Sequence, residues 1–167
     1  MNEFVILVDK DDNEIGKEEK LEAHKKGLLH RAFSIFVFND KEELLLQRRA
    51  FDKYHSGGLW TNTCCSHPRP GEDLVSAVHR RLREEMGFDC NLHEINRFLY
   101  RAEFLNGLIE NELDHVFVGE FCGEVNPDES EVAEHRWVNM EQVEKDVVLN
   151  PEAYSYWFRY ALSNRLL

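Results

Sequence analysis

The chain has 167 residues, 43% of them hydrophobic and 11% aromatic, which is enough for one domain with an ordinary core and excludes a disordered polypeptide. Its formal net charge of −12 excludes broad attraction to nucleic acid or to an anionic membrane surface, so an anionic ligand must be met by a local basic cluster.

Taken in chain order, Phe4 to Asp9 reads as a first strand, closed by the turn-rich Asp11-Asp12-Asn13. Its short apolar run between acids fits neither a secretion signal nor a membrane span, and a cytoplasmic protein is expected. Ile15 to Lys26 is a charged stretch ended by Gly27. Phe33 to Phe38 and Leu44 to Gln47 look like a hairpin around Asn39-Asp40. Asp73 to Met86 is the clearest helix: Leu74, Val78, Leu82 and Met86 recur every four residues, acids lead it, arginines crowd its last turn and Gly87 ends it. Arg97 to Phe104 and Leu108 to Phe121 read as strands joined at Asn106-Gly107, a hairpin signal. Arg136 to Asn139 is a further short strand. The end reads as a helix, with Asn150 as N-cap, Pro151 at its first position, and Ala153, Tyr154, Trp157, Phe158, Ala161 and Leu162 on one apolar side. Strands before, between and after helices predict a mixed α+β, layered α/β domain over residues 1–167, with a monomer favoured.

Several side chains could carry chemistry. Glu110 and Glu112, two apart in a strand, share one face and repel unless they meet water or a cation. His24, His30 and His67 would supply imidazoles if the fold brought them together, and imidazole with carboxylate suits Zn, Mn or Fe. Cys64, Cys65, Cys90 and Cys122 show no framework spacing and read as reduced thiols; either of the adjacent pair is a buried hydrophobe or, near His67 and a cation, a reactive thiol. Arg48, Arg49 and Lys53, with Lys20, Lys25, Lys26 and Arg69, form the basic surface that a diphosphate needs, or else a solvated face.

Glu72, Arg80, Leu82, Glu84, Glu85, Gly87 and Phe88 resemble the Nudix box, with Ser66 in place of its leading glycine and Arg81 in place of an acid. The runs Leu29-His30-Arg31-Ala32-Phe33-Ser34, Gln47-Arg48-Arg49-Ala50, Leu59 through Pro68, Tyr100-Arg101-Ala102 and Glu110-Asn111-Glu112 are similar to one branch of that superfamily, the type 1 isopentenyl-diphosphate delta-isomerases. The resemblance implies a Nudix-like mixed sheet flanked by helices. It implies Cys65 and Glu112 as the catalytic pair, Tyr100 beside the glutamate, and Trp157 facing the reacting carbons. It further implies one divalent site (Mn, Mg or Zn) on His24, His30, His67, Glu110 and Glu112, and Glu85 holding Mg against the substrate diphosphate. Lys20, Arg49 and Lys53 match its anion-binding positions, and Arg69 joins them as a neighbouring cation. A two-residue turn at Asn106-Gly107 would put Tyr100 on the face opposite Glu112, so this arrangement requires a three-residue loop or a bulge.

The implied reaction turns isopentenyl into dimethylallyl diphosphate, in isoprenoid biosynthesis, through a tertiary carbocation. It needs an acid on one side and a base on the other, expected as Glu112 through Tyr100 and Cys65 respectively. Two rival readings are a Nudix diphosphohydrolase, which Arg81 speaks against, and a noncatalytic metal-binding domain, which a five-ligand His/Glu set does not suit.

Overall fold

The computed structural model describes residues 3–167. Nine strands and four α-helices form among them: β1 (Phe4–Val8), β2 (Glu14–Glu19), α1 (Lys20–Lys26), β3 (His30–Phe38), β4 (Glu43–Arg49), β5 (Trp60–Thr61), β6 (Cys64–Ser66), α2 (Leu74–Met86), β7 (Leu92–Glu103), β8 (Ile109–Glu120), β9 (Val132–Asn139), α3 (Met140–Leu149) and α4 (Tyr156–Ser163).

β3 is the axis. It runs parallel to β8 from His30↔Glu112 to Phe38↔Glu120 and antiparallel to β6, where Ser34 faces Cys65. Both of its faces are buried, as its near-continuous apolar run requires. On one side Phe33, Ile35 and Val37 pack with Cys64, Phe117 and the Val78, Leu82 and Met86 face of α2. On the other, Phe36 packs with Tyr100, Val116 and the Trp157, Phe158 and Ala161 face of α4. The result is the layered α+β architecture expected, helices on both faces of a mixed sheet.

α2 forms as the sequence predicts. Asp73 caps it by accepting from the Ser76 N–H (3.0 Å), and Gly87 ends it at φ 74°. A side chain at Gly87 would collide with the Asn126 carbonyl, 2.0 Å from an added Cβ, so glycine is required twice over.

Three expectations are corrected and one unassigned stretch is resolved into elements. The Asn39-Asp40 turn joins β3 and β4, but they pair only at Phe38↔Leu44; β4 then leaves to pair with β5 and β9. The stretch Ile15 to Lys26 divides into β2 and α1. The final helix is broken: Pro151–Ala153 form one 3₁₀ turn, and Asn150 makes no side-chain cap. Tyr154 is extended (φ −121°, ψ 146°) because it bridges to Trp60, whose carbonyl accepts from Ser155 N–H (2.9 Å). Tertiary pairing there overrides the helical pattern. Finally, Arg136 to Asn139 is only the end of β9, and α3, which buries just Val143 and Val147, has too narrow an apolar stripe to be read.

Candidate active site

One end of the β3–β8 pair carries the polar residues. Glu112 stands beside His30 across the parallel ladder, and the buried His24 enters from α1. Three imidazole nitrogens converge on one oxygen: Nε2 of His67, His30 and His24 lie 3.0, 3.3 and 3.9 Å from Glu112 Oε1. Nδ1 of His24 donates to the Lys20 carbonyl (2.6 Å) and Nδ1 of His30 to that of Leu28 (2.8 Å). That choice of tautomer turns an Nε2 lone pair inward on each ring, the arrangement metal-ligating histidines adopt. Both Nε2 atoms are buried without a hydrogen-bond partner. The four donor atoms of His24, His30, His67 and Glu112 lie within 4.8 Å of one another. Orphaned inward lone pairs around a carboxylate fit a divalent cation.

Glu110 lies on the same face, buried, but its nearest imidazole is one the sequence reading missed. His55 Nε2 is 3.1 Å from Glu110 Oε1, and His24, His55 and Glu110 form a second group of converging donors. Tyr100 bridges the two acids, its hydroxyl 2.5 Å from Glu112 Oε2 and 3.1 Å from Glu110 Oε2. The register Tyr100↔Glu112 arises from a three-residue loop, Leu105-Asn106-Gly107, in which Gly107 takes φ 82° and the Phe104 N–H donates to the Leu108 carbonyl. The loop required by the family arrangement is present. A solvated face for Glu110 and Glu112 is ruled out, since they are 3% and 5% exposed.

Burial and mutual charge set the protonation. Burial, then the charge of Glu112, push Glu110 well above the usual carboxylate range. Burial would raise Glu112 too, but the imidazoles of His30 and His67 gathered around it outweigh burial and hold that carboxyl well down. Desolvation lowers His24, pushes His67 down to about 3, and pushes His55 down to about 2. His24, His55 and His67 are thus held neutral beside the Glu112 carboxylate.

Cys65 sits across β3 from this cluster. Its thiol donates to Asn62 Oδ1 (2.9 Å) and accepts from the Trp157 indole N–H (2.9 Å), with Ser34 Oγ at 3.7 Å. Burial raises this thiol, so it carries its proton. Cys64, its neighbour on the strand, points the opposite way into the core under α2. Ser34 in turn donates to the buried Asp114 (2.6 Å). Trp157 is both a core residue and a wall of the site: 4% exposed, it packs with Phe158 and Ala161 while its ring lies 5.2 Å from the Arg49 guanidinium.

A cleft with about 530 Å³ of empty volume joins these groups, lined by Cys65, Glu112, Tyr100, Trp157, Arg49 and Lys20 among others. Its outer continuation is basic, with Lys17, Lys20, Lys53, Arg69, Arg80 and Arg81 set against Glu3 and Glu131. Arg69 is exposed and belongs to this outer groove, away from the inner cleft. Lys20 is paired to Glu3 (2.9 Å), and Lys53 to Glu131. Glu85, buried on α2, accepts from Gln47 (3.0 Å) and pairs with Arg81, so both of its oxygens are engaged.

Besides His55, the sequence reading missed Ser34, Asn62 and Asp114. Asp114 was within reach, since it continues the period-two face of Glu110 and Glu112. His55, in a Gly-rich loop two residues after Lys53, offered no periodic signal.

The NUDIX domain model matches residues 28–158. Among solved structures, DR0079 from Deinococcus radiodurans superposes with a TM-score of 0.80 over 97% of this chain and 98% of its own, at 14% identity. A MutT protein from Methanosarcina mazei gives 0.67 over 81% and 91%, at 22% identity. Fold and cluster together define a Nudix-fold protein with a buried His/Glu cluster that could hold a cation. An isopentenyl-diphosphate Delta-isomerase from Burkholderia multivorans is 56% identical over 95% of this chain and 90% of its own length, and isomerase 2 from Photorhabdus laumondii is 54% identical over the same shares. The chain belongs to the isopentenyl-diphosphate Delta-isomerase family.

Proposed function

We infer that this chain, acting as one domain over residues 1–167, converts isopentenyl diphosphate to dimethylallyl diphosphate. Supporting this reading is one observation above the others: a thiol and a carboxylate open into a single cleft from strands on either side of β3, Cys65 on β6 and Glu112 on β8. A double bond shifts when one carbon gains a proton and another loses one, and two such groups are the minimum equipment.

In the direction of the dimethylallyl product, Glu112 gives a proton through Tyr100 to the terminal methylene, leaving a tertiary cation at the branched carbon. Cys65 then takes a proton from the carbon nearer the diphosphate, and the new double bond forms. The resting protonation described above, thiol on Cys65 and carboxylate on Glu112, is the state in which that direction ends and the reverse direction begins. A proton must return from Cys65 to Glu112 between turnovers. The Trp157 ring borders the same cleft and stabilises the cation through its face, by on the order of 2 kcal/mol when water is excluded.

His24, His30, His67, Glu110 and Glu112 would hold a divalent ion, whose chemistry is to fix Glu112 and set its proton affinity. Arg49 and Lys53 receive the diphosphate with Lys20, while Arg69 guides it from the outer groove. Glu85 would hold an Mg ion that accompanies the diphosphate and would supply charge neutralisation there. The pairing of Arg81 with Glu85 also disfavours hydrolysis, because a guanidinium occupies the place of a metal-binding acid. Following isopentenyl diphosphate by proton NMR, with phosphate release measured in parallel, tests the reading: a shifted double bond without phosphate is expected, and phosphate without a shifted double bond would overturn it.

A further inference from the structure

We propose that His55 is a fourth imidazole donor to the cation, entering beside Glu110 and completing a shell made entirely of protein atoms. The inference rests on the cation reading above and extends it by one ligand.

The seat of His55 is built for an aromatic ring. Phe104 stacks on it at 5.0 Å and 15°, Tyr54 meets it edge-on at 4.4 Å and Trp157 at 6.0 Å, and only 7% of the residue is exposed. A phenyl ring would satisfy such a seat. An imidazole there places Nε2 at 3.1 Å from Glu110 Oε1 and Nδ1 at 3.3 Å from the Ser56 hydroxyl. Inner nitrogen toward a carboxylate and outer nitrogen toward an oxygen is also the arrangement of His24 and His30, whose outer partners are main-chain carbonyls where that of His55 is a hydroxyl.

His24 decides how many ions are involved. Its Nε2 belongs to both donor groups, the one with His30, His67 and Glu112 and the one with His55 and Glu110. Its Nδ1 is committed to the Lys20 carbonyl, so it has one lone pair to give. One lone pair serves one ion, so a single ion that draws on both groups is the arrangement that uses every donor. Six protein donors saturate an octahedral ion. A saturated ion has no open position for a water nucleophile, unlike hydrolytic metal centres. Such a centre holds Glu110 and Glu112 in place and leaves the chemistry to side chains.

The full chain, stripped of metal and loaded with one equivalent of Mn(II), provides the test. Electron spin echo modulation counts the imidazole nitrogens on the ion, and competition with a chelator gives its affinity. Four nitrogens are expected in the wild type and three in His55→Phe, which keeps the aromatic seat, with affinity lower by roughly 100-fold. Three nitrogens in a tightly binding wild type would overturn the fourth ligand and leave the cation site standing. Four nitrogens persisting in the variant would do the same. No tight Mn(II) binding to the wild type would remove both readings. The wild-type count stands without the variant, should His55→Phe fail to fold.

Discussion

Tyr100 faces Glu112 directly across the β7–β8 ladder, and its hydroxyl lies 2.5 Å from Glu112 Oε2 while also reaching Glu110. Removing that hydroxyl leaves two buried acids without a shared donor. Tyr100→Phe should lower turnover by about 100-fold, within the range for a positioned proton-transfer group, while the fold is kept. Steady-state assay beside circular dichroism checks it; an unchanged rate would free Tyr100 from the proposed proton path.

The hairpin loop sets this relationship, and so its length is testable. Deleting Asn106 should impose a two-residue turn or a register slip and carry Tyr100 to the other face of β7. Activity should fall by at least as much as in Tyr100→Phe. Full activity of the deletion variant would mean that the register does not matter.

The adjacent cysteines offer a sharper contrast. Cys65→Ala and Glu112→Gln should each remove nearly all turnover from a folded protein. Cys64→Ala should keep turnover and lower stability by on the order of 1 kcal/mol, because that side chain packs under α2. Denaturant melts and assays on the three variants separate the two effects; inactivity of Cys64→Ala would reverse the assignment.

Trp157→Phe should lower turnover moderately and Trp157→Leu much more, with the Michaelis constant nearly unchanged, since the ground-state substrate carries no charge at the branched carbon. Both variants also lose the indole N–H to Cys65. If Phe and Leu variants proved equally active, the ring face would have no catalytic part.

Stability of the metal-free protein should peak near neutral pH. The folded values of His24, His55 and His67 lie below the ordinary histidine value, so below about pH 6.5 the unfolded chain binds protons that the folded one refuses, and stability falls with falling pH. Glu110 and Asp114 are raised, mainly by burial, so the folded chain keeps protons that the unfolded chain has already lost above about pH 4.5. That opposing contribution partly offsets the histidines on the acid side and is lost as pH rises through the folded values. A bound divalent ion should extend stability on the alkaline side by favouring ionised Glu110. Urea melts from pH 4 to 9, with chelator and with Mn(II), measure both arms; metal-independent curves would count against the cation site.

The sequence announces α2 fully, because its cap, its four-residue repeat and its closing glycine are all local. It announces Cys65, His67 and the Glu110-Asn111-Glu112 face through motif and alternation. It does not announce β5, β6 or the break at Tyr154, which exist only through pairing with distant strands. His55 escaped for the same reason: its meaning lies in Glu110, fifty-five positions further along and adjacent only in space.

The pairs Lys20 with Glu3 and Lys53 with Glu131 mean that the basic groove arrives with its own counterions. A diphosphate entering it performs an exchange, freeing two carboxylates as it takes up two ammonium groups. Its affinity should then depend on ionic strength less steeply than the number of basic side chains in the groove would suggest, since part of the charge was already neutralised before the substrate arrived.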